Sequence, residues 1–320
     1  MTRFGVRTLR RDTAPHVDPA GGDPVLAGLR AAATAGDIAA VSATLRNFSG
    51  HDLSSLVRGI SDLAGMDQEL PELARRSPDD LLPRLLLGSR TINRAWSVRT
   101  AASAAEVSQE QFAQFHTLLE EAEEYLYDAA RLDSSSSAPW HFLVVSGRGL
   151  EVGPDVSRRR FEAVVSRDPD HFGAHRQRLQ QLCKKWGGSH EQMHDFARQA
   201  MLRSADPQMG VLVAEAHVEQ WTDLGGGRSG QAYIRSKEVR ESLTDAATRS
   251  IDRIDYAPAR DPYLGFNMFA FAFTAAGLLS EAKGVFTRTH GVVTKAPWEY
   301  LSGQPLDGYL RWRETANKNG

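Results

Sequence analysis

The chain has 320 residues, with 38 Lys and Arg against 40 Asp and Glu; the net charge of −2 gives no overall electrostatic reason to seek nucleic acid or an anionic membrane. Its single cysteine, Cys183, excludes an intramolecular disulfide and a cysteine-rich zinc site, and points to a reducing, cytoplasmic setting. The longest apolar run, Phe266 to Leu279, contains Asn267 and falls short of the roughly 20 residues that cross a bilayer, so a buried helix is expected there instead.

Residues 1–22 carry Arg3, Arg7, Arg10 and Arg11 before the first acid, Asp12, and then Pro15, Pro19 and Gly21-Gly22. They lack the apolar stretch of about 7–15 residues found in a secretory signal, and the segment reads as a disordered basic tail. From Asp23 onward helical periodicity prevails and strand-like alternation is almost absent, which predicts an all-α fold. Residues 23–107 form an N-terminal helical region in this reading. Pro24 opens a helix to Thr34, Ala35-Gly36-Asp37 breaks it, and Ile38 to Arg46 completes a hairpin. Ser77-Pro78-Asp79-Asp80 starts another helix, with Leu82, Leu85, Leu86 and Ser89 on one face, followed by an Ala/Ser-rich stretch near 97–105.

Residues 108–320 are read as the second region. Ser108-Gln109-Glu110-Gln111 has the capping-box pattern, in which a hydroxyl and an amide satisfy the free N–H groups of a helix start. The helix that follows is amphipathic, with Phe112, Phe115, Leu119, Ala122, Leu126 and Ala129 on one line. Seven acids and no bases lie between Glu106 and Asp128, a solvated face or a dock for a basic partner.

Between Ala138 and Pro207 the chain repeats itself. Trp140 is echoed by His175, Phe161 by Phe196, and Asp168-Pro169 by Asp206-Pro207. A beat of roughly 34–40 residues with a large side chain early and a Pro at the junction is the mark of tetratricopeptide-like helical hairpins. The string Lys185-Trp186-Gly187-Gly188-Ser189, followed by Glu191, Met193 and Phe196-Ala197-Arg198, resembles a tetratricopeptide-like family of uncharacterised bacterial proteins. Phe266-Asn267-Met268-Phe269-Ala270, Ala276-Gly277-Leu278 and Pro297-Trp298-Glu299-Tyr300 are similar to it as well. The resemblance covers about 130–320 and implies a helical-repeat fold with no assigned activity. Spacing near 97–107 departs from the regular pattern.

One motif argues for an enzyme. His190-Glu191-Gln192-Met193-His194 matches H-E-x-x-H, in which two His one turn apart face a zinc ion and the Glu activates water, with Glu215 or Glu219 as a conceivable third ligand. Three features oppose that reading. Ser189 as N-cap puts His190 in the fraying first turn; Asp195 adds a carboxylate; and Met193, Phe196, Ala197 and Ala200 already occupy the packing face. His171 and His175 have the same spacing, but His175 lies on an apolar stripe with Phe172, Leu179 and Leu182, which suits packing, and no ligand set is evident there. Gly225-Gly226-Gly227-Arg228-Ser229-Gly230 lacks the Lys of a phosphate loop and reads as a linker between helices. Cys183 has no neighbouring base and reads as a small core residue.

Residues 148–203 hold eleven bases and seven acids, and Arg158-Arg159-Arg160 could touch phosphates, but no basic-aromatic stacking pattern appears. Farther on, Tyr233 to Tyr256 reads as one long charged helix, Phe266 to Leu279 and Ser280 to Thr289 as a hairpin, and Trp298, Tyr300, Tyr309 and Trp312 as a cap on the open end of the stack.

The combined expectation is a right-handed α-α superhelix of about twelve helices that binds a protein or peptide partner on its concave face. No cofactor is expected, no catalytic, cofactor-binding or metal-ligating residue is assigned, and neither a membrane nor a nucleic-acid partner is expected. The alternative is a zinc-dependent metallohydrolase built on His190, Glu191 and His194.

Overall fold

The structure, a computed structural model, describes residues 14–99, 108–301 and 303–320. It is all-α, as the periodicity requires. Sixteen α-helices lie among the described residues, more than the twelve expected, because several segments divide where local chemistry ends a helix. In the N-terminal part these are α1 (Pro24–Thr34), α2 (Ile38–Leu45), α3 (Gly50–Ile60), α4 (Leu70–Arg76) and α5 (Leu81–Arg99). Periodicity gave no helix over α3 and α4; α3 nevertheless buries Leu53, Leu56, Val57 and Ile60 and leaves only part of its surface in water.

Next come α6 (Gln109–Leu132), α7 (Ala138–Gly149), α8 (Pro154–Val165), α9 (Phe172–Gln181) and α10 (His190–Arg203). The capping box forms: the Ser108 hydroxyl accepts from the Gln111 N–H, and the Gln111 side chain accepts from the Ser108 N–H. Helices α5 and α6 pack side by side, with Gly88 giving room for Leu126 and Ala122, so the apolar packing runs straight across residue 107.

The last helices are α11 (Val211–Asp223), α12 (Arg228–Ile234), α13 (Lys237–Arg249), α14 (Leu264–Ala276), α15 (Leu279–Arg288) and α16 (Pro305–Asn319). The single helix expected over 233–256 is two. Ser236 interrupts it, its hydroxyl accepting from the Val239 N–H to cap α13. Beyond Arg249 the path stays irregular, because Arg288 takes the Ile251 carbonyl and pairs with Asp252 at 2.6 Å. The glycine-rich linker is also shorter than expected, since Arg228-Ser229-Gly230 begin α12.

Helices α5, α7, α9 and α11 stand in a row, each touching the next, and α3 packs across α5, α7 and α9. Within the repeating block the echoed side chains meet. The ring centroids of Phe161 and His175 are 5.1 Å apart and those of Phe161 and Phe196 5.6 Å, and Trp140 and Phe161 both pack on the cluster of Val144, Val164 and Ala174. At the C-terminal end Trp298 and Tyr309 are fully buried against Phe286, with Trp312 stacked on Phe271 at 4.4 Å, closing the apolar end of the bundle.

Of the basic tail expected over 1–22, residues 1–13 lie outside the described residues, and residues 14–22 are ordered. His16–Val17 (β1) pairs in parallel with Val292–Val293 (β2), which joins the segment before α1 to the C-terminal third. Asp23 both caps α1 and pairs with Arg260, and Arg58 of α3 pairs with Asp261 at 3.1 Å. The first helices are thereby tied to the C-terminal third.

Candidate binding groove

The Lys185-Trp186-Gly187-Gly188-Ser189 string is a turn with a physical reason at each position. Gly187 adopts a left-handed backbone (φ 86°), which a side chain disfavours, and a Cβ on Gly188 would overlap the Leu182 carbonyl. Ser189 then starts α10, its hydroxyl accepting from the Gln192 N–H at 3.1 Å. The turn sets the Trp186 ring at 88° to Trp96 of α5, with centroids 6.1 Å apart. Phe115 backs Trp96 at 5.0 Å.

Two guanidinium groups sit against this pair of indoles. Arg99 lies 5.5 Å from the Trp96 ring centre and 5.9 Å from that of Trp186; Arg148 lies 5.4 Å from each. No ion pair joins either arginine to a described carboxylate. The one hydrogen bond of Arg148 runs from Nη1 to Gln177 Oε1 at 2.8 Å, and its Nε is buried without a partner. Burial lowers its pKa to about 10, which leaves it cationic at neutral pH.

Around these groups is a groove of about 890 Å³, also lined by Arg178, Lys185, Glu151 and the backbone of Gly147, Gly149, Gly153 and Gly187. Lys185 is engaged by Glu219 at 2.7 Å, whereas Arg178 meets only Gln181. Among the described residues, three cations without a carboxylate ion pair therefore share the groove with one exposed acid, Glu151. Sequence reading passed over this groove because Trp96, Arg99, Arg148 and Trp186 come from three separate segments. The only local signal was the glycine pair after Trp186.

The residues singled out from sequence take other places. His190 Nε2 meets Asp223 at 2.9 Å, while His194 Nε2 meets Gln220 Oε1 at 2.7 Å and Tyr233 at 3.1 Å. Tyr233 continues to His217 Nδ1 at 2.7 Å, and His217 Nε2 to Ser242 at 3.0 Å, so His194 belongs to a chain of hydrogen bonds between α10, α11 and α13. Burial pushes His194 down and His217 to about 3, keeping both rings neutral. Glu191 is exposed. Glu215 is bound at both oxygens by Arg176, and Glu219 is held by Gln180, Lys185 and Tyr300. Among the described residues, no group of three His, Cys, Asp or Glu is disposed to hold a metal ion.

His175 packs between Phe161 and Phe196, as its stripe predicts. His171 instead caps α9 through Nδ1 and is buried with His51 and His141. Cys183 is buried, its thiol pushed up to about 12 by desolvation. The basic triplet is not one surface: Arg158 pairs with Glu162, and Arg160 is buried against Glu123 of the acidic helix α6. No protein-family model matches the chain, and no curated protein is significantly similar to it.

Proposed function

We propose that this chain is a tetratricopeptide-like scaffold of the cytoplasm that binds a protein partner, receiving an acidic segment of it in the groove lined by Arg99, Arg148 and Trp186. The observation that carries the reading is the pair Arg99 and Arg148, two cations at one aromatic site with no carboxylate of their own. A buried cation normally has a counterion, because removing it from water costs free energy that an opposite charge offsets. A partner's acids would supply that charge. The row of α5, α7 and α9 presents the groove on adjoining helices, as a repeat array displays its binding surface.

The test is fluorescence anisotropy with a labelled ten-residue oligoglutamate, measured against intact protein and an Arg99→Glu, Arg148→Glu double variant. Saturable binding that weakens as salt is added and vanishes in the variant is expected. Absence of binding, or binding indifferent to the charge reversal, would defeat the reading.

A further inference from the structure

The groove's charge and donor geometry select among acidic groups, and this inference rests on the partner-binding reading above. Arg99, Arg148 and Arg178 against Glu151 leave the groove with a charge of about +2 once Lys185 is assigned to Glu219. A side-chain carboxylate brings one negative charge and two acceptor oxygens. A phosphate monoester brings about −1.5 to −2 and three acceptor oxygens, which matches this surplus.

The donors are available. Among the described residues Arg99 has no hydrogen-bond partner, and Arg148 spends one N–H on Gln177. Each guanidinium carbon lies over the two indole rings, 5.4 to 5.9 Å from their centres, and no described carboxylate takes its N–H donors. Bidentate Arg–phosphate pairing uses planar forks of this kind. Gly187 and Gly188 keep the wall beside Trp186 free of side chains, which lets a ligand approach the backbone.

We propose that the groove recognises a phosphorylated side chain of the partner, with the phosphate bound between Arg99 and Arg148 and the neighbouring peptide lying along Trp186. The shared chemistry is a phosphate monoester; its two sources are a modified side chain and a free small phosphate.

The experiment compares three labelled degenerate peptide pools that differ only in a fixed central residue: phosphoserine, serine or glutamate. AMP and inorganic phosphate serve as competitors. Binding to the phosphoserine pool at least tenfold tighter than to the glutamate pool is expected. That binding should fall at least tenfold in Arg148→Gln and separately in the less buried Arg99→Gln, and stay unchanged in Arg158→Gln, whose arginine pairs with Glu162. Circular dichroism of each variant separates lost recognition from lost folding.

Equal binding of the phosphoserine and glutamate pools would overturn phosphate recognition while leaving the acidic-partner reading standing. Failure of all three pools would overturn both. Tighter binding of AMP or inorganic phosphate than of the phosphoserine pool would assign the site to a small phosphate and overturn the peptide source.

Discussion

Arg148 on α7 and Arg160 on α8 belong to one helical pair, and the fold treats them in opposite ways. Arg160 forms two bonds to Glu123, at 2.6 and 2.8 Å, and further ones to the Leu143 carbonyl and the Tyr127 hydroxyl. Arg148 has two indoles and a glutamine. Each leaves its Nε without a partner, so the difference lies in the carboxylate. A charge that a protein pairs internally serves its fold; one left over an open groove is free to meet charge from outside.

Breaking the satisfied site should have the largest effect. Glu123→Leu strands Arg160 without its counterion, and a loss of about 3–5 kcal/mol is expected, read as a fall in the urea midpoint. An unchanged midpoint would mean that Arg160 escapes to water.

A third buried region carries titratable groups with no full set of partners. His141 stacks on His171 at 4.8 Å, and the ring centroids of His51 and His171 are 5.1 Å apart. His51 Nε2 and His141 Nδ1 are both buried without a partner. Desolvation lowers all three, His141 to about 3, and it outweighs the pull of Asp261, Asp52 and Asp168 on His51. The folded state therefore favours neutral rings, while the unfolded chain takes up protons below about pH 6.5. Stability from this cluster is complete above that pH and falls steadily as the solution is acidified. Chemical denaturation at pH 7 and pH 5 should show the fall, and His141→Phe should flatten it; the same slope in that variant would clear His141 of the effect.

Gly188→Ala should come next, at about 1–3 kcal/mol, since the new methyl overlaps the Leu182 carbonyl and the turn beneath Trp186 must shift. A melting temperature equal to that of the parent would show that the turn yields. Arg148→Met is expected to change stability by less than about 1 kcal/mol in either direction, because no ion pair is broken and an unpaired cation is removed from a half-buried place. A loss as large as that from Glu123→Leu would erase the contrast between the two arginines.

Much of the helical pattern was legible in the chain because its signals are local. Ser108 and Ser189 cap helices through bonds to residues three positions on, and Gly277 ends α14 in a left-handed conformation (φ 72°). The buried aromatics near the C-terminus were readable as well. Helices α3 and α4 were missed, and residues 233–256 read as one helix, because apolar spacing alone does not locate a break set by Ser236 or by Arg288 from a distant helix. The groove was hidden more deeply. Nothing near Arg148 in sequence marks it as an arginine left without a carboxylate.

By itself, then, the sequence determined the helical class, most helix starts and stops, and which side chains face inward, since each depends on neighbours within a turn or two. Tertiary structure alone decided which charges are neutralised. Asp23 finds Arg260 across 237 positions, Glu123 finds Arg160, and Arg148 finds two tryptophans and a glutamine. An ion pair depends on where packed helices bring charges together, and that placement follows from the burial of apolar faces, which carries no record in the local pattern of the charges themselves.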